Sequence, residues 1–121
     1  MNSVLIIDNS SVICDLLDKI FSKMFFETFT AESGEEGLKL FEKYLPNVVI
    51  LDYNLPIIEG VDVLYKIRGM KDIKQPKIIF CTSLNYMNNI KTALDAGCDD
   101  YIIRPFDEEI ISSKLKLLEV I

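Results

Sequence analysis

Residues that can act on a phosphoryl group or hold a metal ion stand directly after short apolar segments of this sequence. Asp8 and Asp52 supply carboxylates, Thr82 supplies a hydroxyl and Arg104 supplies a fixed positive charge. Their neighbours are also polar or conformationally restricted, namely Asn9, Tyr53, Asn54, Ser83 and Pro105. Acids, amides, hydroxyls and a guanidinium in equivalent positions after successive segments predict one shared site.

This set of side chains is suited to phosphoryl transfer. The carboxylate of Asp52 can attack phosphorus when a bound cation offsets the repulsion between it and the incoming anion. The hydroxyl of Thr82 and the guanidinium of Arg104 can then hold the oxygens of the transferred group. Pro56 and Gly60 predict a tight loop after Asp52.

Composition excludes several other kinds of chemistry. The chain has no histidine, which rules out Ser-His and Cys-His nucleophile pairs and imidazole metal ligands. A metal is therefore expected on oxygen ligands, which favour Mg²⁺, Mn²⁺ or Ca²⁺, or on thiolates. Cys14, Cys81 and Cys98 lack a CxxC or paired spacing and are expected to be core thiols in a reducing cytoplasm.

Charge and hydropathy also limit the partners. The net charge of −6 argues against direct binding of nucleic acid. No apolar run approaches the roughly 18 residues that span a bilayer, and no export signal is recognisable. We expect a cytoplasmic protein without a membrane partner.

Strand-like and helical segments alternate along all 121 residues. The predicted strands are SVLIID, FFETFT, NVVILDY, KIIFCT and DYIIRP. The predicted helices run from Ser11 to Met24 and through GEEGLKLFEKY, VDVLYKIRGM, NNIKTALDAG and DEEIISSKLKLLEVI. Strict alternation favours one α/β domain whose parallel strands carry helices on both faces. The mixed composition of FFETFT is typical of an edge strand.

Local signals refine this outline. Asp107 is predicted to cap the last helix, and Gly97 to follow the end of the fourth. Periodicity places Leu16, Leu17 and Ile20 on the buried face of the first helix, and Leu45 on the buried face of the second. In an open parallel sheet, ligands bind beyond the carboxyl ends of the strands. The predicted site therefore lies at that edge.

Over essentially its whole length the chain resembles a response regulator receiver domain of two-component signalling. Four motifs in order carry the likeness: LIIDNSS, VVILDYNLPIIEG, IIFCTS and AGCDDYIIRPF. The second has the spacing D-x-x-x-P-x-x-x-G. The resemblance implies one receiver domain over residues 1–121, with the flavodoxin-like (βα)5 fold, a doubly wound α/β sheet of five parallel strands in the order 2-1-3-4-5.

The resemblance also assigns roles to individual residues. Asp52 matches the acid that accepts a phosphoryl group from a histidine of a partner kinase or phosphotransfer protein. Asp8 matches one of two acids that hold Mg²⁺, together with Asp52 and the backbone carbonyl of Asn54. Receivers are phosphoacceptors, not enzymes acting on other substrates.

Three further positions match parts of the family's switch. Thr82 matches the hydroxyl that moves onto the phosphoryl group, and Tyr101 matches the aromatic residue that then turns inward. The bond between Arg104 and Pro105 falls where receivers usually have a cis peptide. The surface formed by helix 4, strand 5 and helix 5 would then change and regulate a partner or form a homodimer, with Asp99, Asp100 and Lys114 available for ion pairs between subunits.

Two positions depart from the family pattern. Asn9 stands where receivers usually carry a second acid, and Arg104 replaces a lysine that grips the phosphoryl oxygens. Counting Asp8, Asp52 and Arg104, the site carries −1 where the usual three acids and a lysine carry −2. We therefore expect weaker Mg²⁺ binding, with Asn9 at most a weak ligand. Arg104 can pair with Asp8 or Asp52 at rest or hold the phosphoryl oxygens after transfer.

These departures leave two versions of the signalling hypothesis. In one, the domain is a working phosphoacceptor with altered kinetics, which the retention of Asp52, Thr82 and Tyr101 favours. In the other, it is a degenerate receiver that acts as a phosphorylation-independent interaction module. Neither version identifies the kinase or the target.

Two other classes are disfavoured by particular residues. An aspartyl-phosphate phosphatase generally needs a second acid two residues after its nucleophile, where this chain has Asn54. A flavin-binding flavodoxin needs a glycine- and hydroxyl-rich phosphate loop after the first strand, and DNSSV contains no glycine.

Overall fold

A computed structural model describes residues 1–83 and 89–121. Five strands alternate with five helices in chain order. The strands are β1 (Ser3–Ile7), β2 (Glu27–Ala31), β3 (Val48–Leu51), β4 (Lys77–Thr82) and β5 (Asp100–Ile103). The helices are α1 (Ser11–Lys23), α2 (Gly34–Tyr44), α3 (Gly60–Arg68), α4 (Ile90–Asp95) and α5 (Glu108–Leu117).

The strands form one parallel sheet in the order β2-β1-β3-β4-β5. This confirms the predicted flavodoxin-like fold and the position of β2 at an edge. Ile7 is in register with Leu51, and Leu51 with Phe80. The residues that follow β1, β3 and β4 are therefore brought to the same edge of the sheet, which we call the carboxyl edge.

The core lies on both faces of the sheet because neighbouring strand residues point in opposite directions. Val4 and Ile6 pack with residues of α1 and α5, including Phe21 and Leu115. The alternate residues of β1 pack on the other face with residues of α2, α3 and α4. Helices on both faces explain why the central strands are apolar without alternation.

Helix termini follow the expected capping chemistry. The carboxylate of Asp107 accepts a hydrogen bond from the Ile110 amide at 2.9 Å, as predicted. Gly97 follows the cap residue of α4 with φ of +107°, a conformation that glycine adopts readily. The predicted start of α4 at Asn88 lies outside the described residues.

Four sequence predictions need correction. Phe25, predicted in the second strand, lies in the turn before β2 with φ of 64°, and the last helix ends at Leu117 instead of residue 121. Leu16 is 44% exposed because the buried stripe of α1 is narrower than predicted. Leu45 is 50% exposed because it follows the end of α2 in the left-handed region.

The cysteines occupy separate buried positions, as expected for core thiols. Burial raises the pKa of Cys14, Cys81 and Cys98 to about 11 in each case. Their thiols are therefore neutral at physiological pH, and their reactivity is low because the thiolate is the nucleophilic form.

Candidate functional site

Asp8 is held at the carboxyl edge by the turn between β1 and α1. Its backbone amide donates to the Ala31 carbonyl at 3.0 Å, and its Oδ1 accepts from the Ser10 amide at 2.8 Å. The hydroxyl of Ser10 in turn accepts from the Ile13 amide and caps α1. The order Asp-Asn-Ser-Ser therefore fixes the carboxylate and starts the helix in one turn, leaving Asp8 only 3% exposed.

Asp52 lies beside Asp8 because β1 and β3 are neighbours. Its backbone amide donates to the Ile7 carbonyl at 2.9 Å, and its Oδ1 accepts from the Asn54 amide at 3.3 Å. Its side chain is largely buried, with the residue 8% exposed. Burial, followed by the negative charge of Asp8, raises the pKa of Asp52 to about 6, against the opposing effect of Arg104.

The loop after Asp52 depends on close backbone packing. The Gly60 amide donates to the Tyr53 carbonyl at 2.9 Å. A Cβ at Gly60 would lie 2.2 Å from the Asp52 carbonyl oxygen and 2.9 Å from Tyr53 Cα. Only glycine fits this approach, so the glycine of the predicted loop sets the position of Asp52 directly.

Arg104 brings a positive charge between the two acids. One guanidinium nitrogen, Nη2, donates to Asp8 Oδ2 and to the Cys81 carbonyl at 3.1 Å, and lies 3.8 Å from Asp52 Oδ2. Burial works to lower the pKa of Arg104, but the nearby carboxylate of Asp8 outweighs it and the pKa lies above its usual value. Arg104 is therefore a permanent cation at this site.

Thr82 completes the group that the sequence predicted at this edge. The Arg104 amide donates to the Thr82 carbonyl at 2.8 Å, which joins the end of β4 to the residue after β5. Thr82 is 2% exposed. Within the described part of the chain, Thr82 Oγ1 and Arg104 Nε are buried polar atoms without a hydrogen-bond partner. Both can donate, so an anion entering the site would offer them acceptors.

We call Asp8, Asp52, Thr82 and Arg104 the carboxyl-edge site. The other predicted site residues lie at its rim or beyond it. Asn9 and Asn54 are exposed after β1 and β3. The Arg104–Pro105 peptide bond is cis. Tyr101 is partly buried against the core on the α4 side of the sheet, with Lys114 Nζ 5.3 Å from its ring centroid.

The charges proposed for subunit contacts have partners within the chain. Asp99 accepts from Arg68 Nη2 and from the Ile78 amide, both at 2.8 Å. Asp100 accepts from Lys114 Nζ at 3.0 Å. These acids therefore brace the start of β5 against α3, β4 and α5.

The sequence did not predict two contacts at this site. The Ser10 amide orients Asp8, and the Cys81 carbonyl anchors Arg104. Both are backbone groups, which leave no residue-type signal in a sequence. Only the turn-forming Asp-x-Ser pattern after the first strand could have indicated the first contact.

The ligands at this edge are of the type that a hard divalent cation prefers, but they are few. Carboxylates of Asp8 and Asp52 meet there, and oxygen ligands suit Mg²⁺. In residues 1–83 and 89–121, however, no group of three or more Asp, Glu or Cys side chains is arranged to hold a metal ion. Additional ligands would have to come from a backbone carbonyl, an amide or water, and Arg104 already occupies one oxygen of Asp8.

Sequence comparisons match almost the whole chain to known proteins. Residues 4–116 match the family model described as the response regulator receiver domain. The chain is 34% identical over 113 residues to "Probable transcriptional regulator ycf27" of Guillardia theta, covering 93% of this chain and 43% of that protein. It is 30% identical over 116 residues to the transcriptional regulatory protein AfsQ1 of Streptomyces coelicolor, covering 96% and 50%. The chain thus spans about half the length of these curated relatives.

Solved structures show the same fold. A CheY-like response regulator receiver domain protein from Methanospirillum hungatei superposes with a TM-score of 0.89 at 28% identity, covering 98% of this chain and 93% of that one. The chemotaxis protein CheY4 of Vibrio cholerae gives a TM-score of 0.89 at 24% identity, covering 97% and 98%. Among the described residues, no helix combines the length and apolar character needed to cross a bilayer.

Proposed function

Because the chain belongs to the response regulator receiver domain family, we propose that Asp52 accepts a phosphoryl group from a phosphohistidine of a kinase or phosphotransfer protein. Receiver domains of two-component systems are regulatory phosphoacceptor domains that interact with histidine kinases and downstream effectors. The observation that carries the proposal is the position of Asp52 directly after β3, where it lies beside the Asp8 carboxylate and 3.8 Å from the Arg104 guanidinium.

In the transfer step, a carboxylate oxygen of Asp52 attacks phosphorus. An O–P bond forms, the P–N bond to the donor imidazole breaks, and the released nitrogen keeps the bonding pair and takes a proton when required. Asp52 must be ionised to attack, which holds for most molecules above pH 6. The buried donors Thr82 Oγ1 and Arg104 Nε are suited to hold the phosphoryl oxygens.

Mg²⁺ is the proposed cofactor, bound by Asp8, Asp52 and the Asn54 carbonyl, with Asn9 a weak ligand at most. When bound, it would neutralise charge on the phosphoryl oxygens and the attacking carboxylate. Binding is proposed to be weaker than is typical of the family, because Asn9 is neutral and Arg104 engages Asp8.

Phosphorylation is proposed to change the surface formed by α4, β5 and α5. The added group carries nearly two negative charges at physiological pH. Movement of Thr82 towards it would open space for Tyr101, which is the partly buried aromatic of β5. The altered surface would regulate a partner protein or a second copy of the chain. Residues 1–121 would form one cytoplasmic receiver domain that does not itself bind nucleic acid.

The decisive experiment is incubation with acetyl phosphate or beryllofluoride plus Mg²⁺. We expect one adduct on Asp52, detected by mass spectrometry for the phosphoryl group and by fluorine NMR for beryllofluoride. Asp52→Asn should remove the adduct, whereas Asp62→Asn, which alters an exposed acid of α3, should retain it. A folded chain that forms no adduct at any Mg²⁺ concentration would instead be a degenerate receiver acting as an interaction module.

A further inference from the structure

The guanidinium of Arg104 already contacts the carboxylate of Asp8, which is one of the proposed ligands of Mg²⁺. Its Nη2 atom donates to Asp8 Oδ2 and lies 3.8 Å from Asp52 Oδ2. The other oxygen of Asp8 already accepts from the Ser10 amide at 2.8 Å. A metal ion that binds the Asp8 carboxylate must therefore either displace the Arg104 guanidinium or bind while the guanidinium stays in contact with Asp8.

Arg104 is also held at its backbone amide and at the end of its side chain. Its amide is bound to the Thr82 carbonyl, and its Nη2 is bound to the Cys81 carbonyl. These contacts direct the guanidinium across the end of β4 towards Asp8. A lysine at this position has a shorter side chain and a single ammonium group, so it cannot reproduce the same set of contacts.

We propose that Arg104 is a resident counter-ion that competes with Mg²⁺ for Asp8. This inference rests on the proposed function, since it concerns the same metal and phosphoryl site. At rest, the guanidinium offsets the repulsion between two buried carboxylates. An incoming phosphoryl group offers Arg104 new acceptors, so its arrival favours release of Asp8 to the metal. Mg²⁺ and the phosphoryl group therefore bind with positive coupling.

A purely structural ion pair would behave differently. In that case Arg104 would stay on Asp8 when Mg²⁺ binds, and its influence on the metal would be that of a nearby positive charge alone. Replacing arginine by lysine would then leave the Mg²⁺ affinity almost unchanged, because the formal charge is the same. The two explanations are separated by a substitution that keeps the charge and changes the contacts.

The first test is isothermal titration of the full chain with MgCl₂. We expect Arg104→Lys to bind Mg²⁺ about fivefold more tightly than the wild type, which corresponds to an ion pair worth about 1 kcal/mol. Arg104→Gln should bind more tightly still. Lys23→Gln is the control, because it removes a charge from an exposed ion pair with Glu108 and should leave the affinity unchanged. An unchanged affinity in Arg104→Lys would overturn the proposal.

The second test uses the wild-type protein, so it does not depend on whether a variant folds. In ¹H–¹⁵N NMR, the Nε–H signal of Arg104 should shift in step with the amides of Asp8, Asp52 and Asn54 as Mg²⁺ is added. A stationary Arg104 signal beside shifting amides would contradict displacement. Neither test involves phosphoryl transfer, so failure here is distinguishable from absence of the adduct on Asp52.

Discussion

The amide of Asn9 leaves the carboxyl-edge site with two carboxylates and one permanent cation. We expect Asn9→Asp to tighten Mg²⁺ binding about tenfold in calorimetry, because a charge placed roughly 4 Å from a divalent ion is worth up to several kcal/mol before solvent screening. Asn9 is exposed, which reduces the effect. Ser113→Asp adds the same charge on exposed α5 and should change nothing. An equal gain in both variants would show that only net charge matters.

The ionisation of Asp52 should destabilise the metal-free fold. Its pKa rises from 3.8 to about 6 on folding, so the folded state binds the proton more tightly than the unfolded state. Protonation of Asp52 therefore stabilises the fold. This stabilisation is complete below about pH 4 and is lost as the pH rises through about 6. With a chelator present, Asp52→Asn should therefore be more stable than wild type by about 3 kcal/mol at pH 7.5. The gain should shrink towards pH 4.5 in thermal unfolding, and an equal gain at both pH values would exclude this cause.

The buried hydroxyl of Thr82 should contribute to the adduct and not to resting stability. Thr82→Val keeps the side-chain shape and removes an oxygen without a partner in the described chain. We expect the free energy of unfolding to stay level or to rise by up to about 1 kcal/mol, while the Asp52 adduct becomes shorter-lived. In the matched variant Thr28→Val, the lost hydroxyl donates to Asp18 at 2.6 Å, so about 1 kcal/mol should be lost. Equal losses in both would contradict this account.

At the scale of elements, the loop from β3 to α3 sets the position of Asp52, the proposed phosphoacceptor. Gly60→Ala would place a methyl group 2.2 Å from the Asp52 carbonyl oxygen. We expect destabilisation of about 2 kcal/mol in urea unfolding, with slower adduct formation. Gly69→Ala is the control, since its nearest neighbouring atom would be 3.3 Å away and its φ of −79° suits alanine. If Gly60→Ala is as mild as the control, the loop is more adaptable than its packing indicates.

The elements themselves were largely predictable because their signals are local. Apolar runs identified the strands, and the spacing of Leu17 and Ile20 identified the buried face of α1. The errors occur where local patterns are ambiguous. Phe25 has strand-forming character but adopts a left-handed turn, and Leu118 to Ile121 keep an apolar pattern after α5 has ended. The turn at Glu119, with φ of 59°, has no glycine or proline to mark it.

At the scale of the whole molecule, strand order converts distant segments into one site. The parallel pairing of β1, β3 and β4 was predictable from alternation and family likeness, so the grouping of Asp8, Asp52, Thr82 and Arg104 was expected. The preference of Arg104 for Asp8 over Asp52 was not predictable from the sequence. Asp8 and Asp52 are both within reach of position 104, and the guanidinium contacts Asp8 while it also donates to the Cys81 carbonyl, a backbone group that the sequence does not reveal.

The ion pairs within the folded chain also affect whether two copies of it form a dimer. Asp99 and Asp100, which could have joined two subunits, are already paired with Arg68 and Lys114 of the same chain. Exchange of these partners between subunits would gain little, because partly exposed ion pairs contribute about 1 kcal/mol or less. We therefore expect the unmodified chain to sediment as a monomer at micromolar concentration. Beryllofluoride with Mg²⁺ should increase the dimer fraction only if the surface of α4, β5 and α5 is a homodimer interface, and Asp52→Asn should abolish that increase. A dimer that forms without the analogue would show that association does not depend on Asp52.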